Sequence, residues 1–161
     1  MPVQFLALGL KRSGEVDAKS ESHRSGGSLV GPSQEDSQGL RADIEVREGI
    51  LVASVSGQLT FESALRVLKK VSDAAKENGV NKILVNALGM HGEASTGERY
   101  DFGLEMLAHF KERQMKPWVA FVGKPPAMDG FAVRVSQNRG LGIEVFSSLQ
   151  DALNWLEKWP I

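Results

Sequence analysis

From residue 43 onward the chain alternates short β-rich runs with helical patterns, and that alternation restricts the folds open to it. Asp43–Arg47 alternates apolar and polar residues and meets the turn signal Glu48-Gly49. Ile50–Ser56 follows as a second strand, so the domain opens with a hairpin. Thr60 is placed to cap a helix over Phe61–Asn78, in which Phe61, Ala64, Leu65, Leu68, Val71 and Ala75 form one apolar stripe. Gly79 ends that helix. Lys82–Leu88 reads as a strand and Gly89–Ala94 as a loop. A second helix covers Ser95–Met115 and stops before Pro117. Trp118–Val122 is a strand, and Gly123–Pro126 is a turn. Met128–Asn138 is a third helix with Gly140 past its end, and Ile143–Phe146 is the last strand. Ser147 and Gln150 have capping-box spacing for a final helix from Ser148 to Trp159. The order ββαβαβαβα predicts an α/β fold: a single, mostly parallel sheet with helices, whose first strand is an antiparallel edge.

The segment before this pattern differs in kind. Lys11 to Gly39 is rich in Ser, Gly, Glu, Lys and Asp and has no aromatic residue. Too little apolar surface is available there to offset the entropy of ordering, so residues 1–41 are expected to be a disordered tail and 42–161 the domain. Such a tail is either regulatory or a non-native extension from an overlong gene start. The absence of cysteine removes disulfides, thiolate metal sites and cysteine nucleophiles. A formal net charge of -1 lacks the basic surplus that a nucleic-acid partner requires. No apolar run reaches the roughly 20 residues that span a bilayer, and Val3–Leu10 lacks the flanks of a signal peptide, so a cytoplasmic location is expected.

Several strings in this order are similar to one family. Ser56-Gly57-Gln58-Leu59-Thr60 follows the second strand, and Glu98-Arg99-Tyr100-Asp101-Phe102-Gly103 lies on the second helix. Asn138-Arg139-Gly140 follows the third helix, and Ala152-Leu153-Asn154-Trp155-Leu156 lies near the end. Together they resemble the SpoIIAA-like family, a STAS-type domain related in fold to CRAL-TRIO lipid carriers. The resemblance spans Asp43–Leu156. It implies a bacterial, non-catalytic regulatory module with a lipid-like ligand or a protein partner. STAS anti-sigma antagonists carry Asp-Ser-Ser-Gly at the start of the corresponding helix and are phosphorylated on the second hydroxyl. Ala94-Ser95-Thr96-Gly97 stands at that place here, which makes Thr96 the phosphorylation candidate, with Ala94 in place of the acid.

Catalytic chemistry finds little support in the residues. No glycine pattern fits a dinucleotide or phosphate loop. His23, His91 and His109 are scattered, and His91 with Glu93 offers two ligands at most, so no metal and no cofactor are expected. The enzyme alternative is a small hydrolase or transferase using the Gly89–Ala94 loop. Binding is better served. Parallel strands deliver their following loops to one sheet edge, where open α/β folds take ligands. Gln58, His91, Ser95, Thr96, Arg99 and Lys124 would gather there, beside a helix N-terminus suited to an anionic group. On the second helix Tyr100, Leu104, Leu107 and Phe110 are read as the inward face, with Phe102 and Met106 to one side. Tyr100, Phe102, Met106, Trp155 and Trp159 are therefore candidates for an apolar gate or interface. The expected partner is a small amphipathic ligand or a protein, with a homodimer and peripheral membrane contact as further expectations.

Overall fold

The computed structural model describes residues 39–160. The expected tail lies almost wholly outside the described residues. Nine elements follow in the order ββαβαβαβα. They are β1 (Leu40–Arg47), β2 (Ile50–Gln58), α1 (Phe61–Asn78), β3 (Lys82–His91), α2 (Thr96–Glu112), β4 (Trp118–Val122), α3 (Phe131–Gln137), β5 (Gly142–Phe146) and α4 (Leu149–Glu157).

The strands form one sheet in sequential order, β1 to β5. β1 runs antiparallel to β2 at the edge, and the remaining pairs are parallel. The expected architecture and its antiparallel edge are thus both present. β1 begins at Leu40, three residues before the predicted start, because Leu40 and Ala42 are buried and pair with Gly57 and Val55. Two residues assigned to the tail therefore belong to the sheet.

β3 also runs longer than its apolar core suggests. The pairing of β2 and β3 shifts register between Ser54 and Ser56, leaving one extra residue on β3. The Asn86 side chain accepts the Leu88 N–H at 3.1 Å there, and pairing resumes through Ser56–Gly89 to Gln58–His91. Gly89–His91 is strand rather than loop, so the connection to α2 is short.

Helix ends follow their local chemistry. Thr60 caps α1, accepting the Ser63 N–H at 3.1 Å, and Gly79 closes it with φ 64°. Ser95 precedes α2 as its cap rather than beginning the helix. α3 is shorter than predicted and starts at Phe131, after Gly130 at φ 87°. The final helix is capped by Ser148, which accepts the Asp151 N–H at 3.2 Å, instead of by Ser147.

Two cores sit on opposite faces of the sheet. Leu68, Val71 and Ala75 of α1, Met106 and Phe110 of α2 and Val133 of α3 pack on Leu51, Ala53, Ile83 and Val119. On the other face α4 alone packs Ala152, Leu153 and Leu156 on Val52, Leu84 and Ala120. Trp155 and Trp159 belong to this second face, away from α2. Trp159 stacks on Trp118 at 4.0 Å between ring centres, and Trp155 meets Trp118 edge-on at 6.1 Å.

Candidate functional site

The helix-rich face is incompletely filled. A cavity of about 120 Å³ lies between the sheet and helices α1, α2 and α3. Its walls are almost wholly apolar. Val85, Val119 and Phe121 come from the sheet, Leu68 and Val71 from α1, and Phe102, Met106 and Phe110 from α2.

The inner stripe of α2 is the reason these side chains meet. Arg99, Phe102, Gly103, Met106 and Phe110 recur at helical spacing, and Gly103, Met106 and Phe110 are buried. Phe102 and Met106 therefore face the cavity. Tyr100, read as inward, is 41% exposed and lies beside Arg139, its hydroxyl 3.5 Å from that guanidinium. The physical cause is Gly103. At Gly103 the backbone of α2 lies close against α3. A Cβ there would stand 2.8 Å from the Ala132 carbonyl oxygen and 2.9 Å from the Val135 Cβ. The Ser136 hydroxyl donates to the Gly103 carbonyl at 2.9 Å. This contact sets the Gly103 side of α2 against α3.

The cavity reaches the surface at the carboxyl edge of the strands. Its exposed lining residues are both carboxylates, Glu98 at the start of α2 and Asp129 before α3. Arg99, the next residue on α2, is itself a lining residue. Its guanidinium donates to Asp129 Oδ2 at 2.7 Å and stands 3.6 Å from Glu93 Oε2, with only 18% of the side chain exposed. Asp129 is held in turn by the Phe131 N–H, which donates to its Oδ1 at 3.0 Å. Glu98 and Ser95 form a reciprocal cap: the Glu98 N–H donates to Ser95 Oγ at 3.1 Å, and the Ser95 N–H to Glu98 Oε1 at 3.0 Å.

The other sequence-derived candidates fall around this rim. Gln58 and His91 are exposed neighbours at the ends of β2 and β3, and the His91 carbonyl accepts the Leu59 N–H at 2.8 Å. Thr96 is exposed at the first position of α2. Lys124 is exposed in the turn after β4, where its carbonyl accepts the Met128 N–H at 2.9 Å. Gln58, His91, Thr96 and Lys124 do not line the cavity. Asp129 was missed in sequence. Its signal was an acid beside Gly130 ahead of a short helix, at the same sheet edge as Arg99.

The far end of α2 is anchored differently. Arg113 donates from Nε and NH2 to Asp73 Oδ1 of α1, at 2.9 and 2.7 Å, while Lys69 donates to Oδ2 at 2.9 Å. The Lys69 hydrogen bond, then that of Arg113, holds the Asp73 carboxyl below its usual value.

A five-stranded sheet with three helices on one face and one on the other is the SpoIIAA-like, STAS-type fold. The structure is similar to an anti-sigma factor antagonist from Mycobacterium paratuberculosis, with a TM-score of 0.51 at 19% identity over 73% of this chain and 94% of that one. It is also similar to a protein of the DUF3478 family with a SpoIIAA-like fold from Shewanella loihica, at 24% identity and a TM-score of 0.46, over 73% of this chain and 93% of that one. The anti-sigma factor antagonist SpoIIAA in its unphosphorylated form matches at 13% identity and a TM-score of 0.46, over 74% of this chain and 100% of that one. No family model and no curated protein matches the sequence. Among the described residues, no helix is long and apolar enough to cross a membrane.

Proposed function

We propose that this protein is a non-catalytic binding module with a regulatory role, and that its site is the cavity beneath α2. One observation carries the reading: an apolar cavity of about 120 Å³ opens at the sheet edge under a rim of charged side chains. Interiors close-pack, so unfilled apolar space of this size is uncommon in a small domain. An engineered apolar cavity of roughly 150 Å³ takes up benzene, which makes the present one large enough for the end of an alkyl chain. The occupant is the apolar part of a small amphipathic molecule, with its polar end at the rim. The Ser95 hydroxyl accepts within the helix cap, which supports binding over nucleophilic chemistry at this edge.

Carbon-13 NMR of the methionine methyl groups during titration with 1-octanol tests the reading. The Met106 and Met128 signals should move in a saturable manner. Ala94→Phe, which narrows the entrance, should abolish the shifts and leave the fold intact. Unmoved methyl signals at millimolar octanol would rule out the pocket as a binding site. Ester turnover that disappears in His91→Ala would favour the hydrolase or transferase reading instead.

A further inference from the structure

The head group that this site accepts follows from the charges at its mouth. Glu98 and Asp129 line the opening, and Glu93 stands against Arg99 from the side. Two carboxylates therefore meet one guanidinium, and Glu98 lines the cavity as a third acid. Arg99 is already engaged, at 2.7 Å with Asp129 and 3.6 Å with Glu93. An incoming carboxylate or phosphate would share Arg99 with Asp129 and Glu93 and meet the repulsion of both acids. An ammonium is repelled by Arg99 alone and drawn by the acids that outnumber that guanidinium. It would find acceptors on Asp129 and Glu98 while its alkyl chain entered the cavity toward Phe102 and Met106. Lys124, which sequence reading placed at an anion-friendly edge, lies outside the lining and does not reverse this balance.

We infer that the cavity selects an alkylammonium-type ligand, an apolar chain ending in a positive group, over a fatty acid or other anionic amphiphile. The inference rests on the cavity being a binding site and adds the sign of the ligand's charge. Three probes of equal chain length separate the two ideas: n-octylamine, 1-octanol and octanoate, each titrated near neutral pH below its aggregation limit and followed by calorimetry and by the Met106 methyl signal. Octylamine should bind about tenfold more tightly than octanoate, with octanol between them. Asp129→Asn keeps an acceptor for the Phe131 N–H and should bring the amine and acid affinities close together. Glu98→Gln should move them in the same direction, and it decides the matter if the first variant fails to fold. Octanoate binding as tightly as octylamine overturns the charge selection and leaves the pocket standing. An amine preference that survives both substitutions overturns the role given to the rim. Failure of all three probes to bind removes the pocket reading and this inference with it.

Discussion

Gly103 faces α3 across a gap with no room for a methyl group, since an added Cβ would lie 2.8 Å from the Ala132 carbonyl oxygen. Backbone cannot yield as a flexible side chain does, so the helices would have to part. Gly103→Ala should lower stability by about 1–3 kcal/mol, the range for overpacking a close contact. Gly97, on the same helix, is exposed and an added Cβ there meets nothing within 4 Å. Gly97→Ala should instead stabilise by about 0.5 kcal/mol, because alanine loses less backbone entropy in a helix. Urea melts of the two variants measure the contrast, and equal effects would contradict the packing described for α2 and α3. Sequence alone does not separate these glycines. Both stand among polar and apolar neighbours, and only the position of α3 makes one of them a contact point.

At the level of the helix, α2 is tied at both ends by ion pairs of different character. The Asp73–Arg113 pair fixes its C-terminal end to α1, and Arg99–Asp129 fixes its N-terminal end to the segment before α3. Asp73 has its pKa lowered in the folded state by Lys69 and Arg113. A depressed carboxyl contributes stability above its unfolded pKa of about 3.9, and that contribution is lost as pH falls through the folded value. Asp73→Asn should therefore reduce stability at neutral pH, and the difference from wild type should shrink as pH falls below about 4. The Asp73 side chain is 38% exposed, so solvent screening keeps the effect modest. Urea melts at neutral and at acid pH check the sign; a gap that widened on acidification would contradict it. The existence of α2, its Ser95 boundary to within a residue and its stop before Pro117 were legible from capping and breaker signals. Its inward face was not. Apolar residues lie on several sides of this helix, and the alternative stripe through Tyr100, Leu104 and Leu107 has the same spacing. α1 was legible because its apolar residues fall on one side alone, and Leu68, Val71 and Ala75 are indeed buried.

Across the whole molecule the two faces of the sheet are filled to different degrees. Element order and the antiparallel edge could be read from periodicity, but the cavity could not, since a void arises from the volumes of side chains that meet only after folding. On the α4 face, the rings of Trp118, Trp155 and Trp159 interlock 4.0 to 6.1 Å apart, and Trp118 and Trp155 pack on the cluster that holds Leu153 and Leu156. On the other face about 120 Å³ stays open. Unfilled space of that kind forgoes packing contacts along its walls. Sites that bind often carry such a loss, and filling them raises stability at the expense of function. Ala64 of α1 lines the cavity and is only partly buried by its neighbours. Ala64→Leu should project into the void, raise stability by about 1 kcal/mol and abolish octanol or octylamine binding. Trp118→Ala, on the opposite face, should cost about 3 kcal/mol and leave those ligands bound with nearly unchanged affinity at a temperature where the variant is folded. The pair separates function from packing, because each substitution alters one face and spares the other. Denaturant melts combined with calorimetric titration read both quantities on the same samples. An Ala64→Leu variant that is destabilised and still binds would show that ligand does not occupy the space beneath α2.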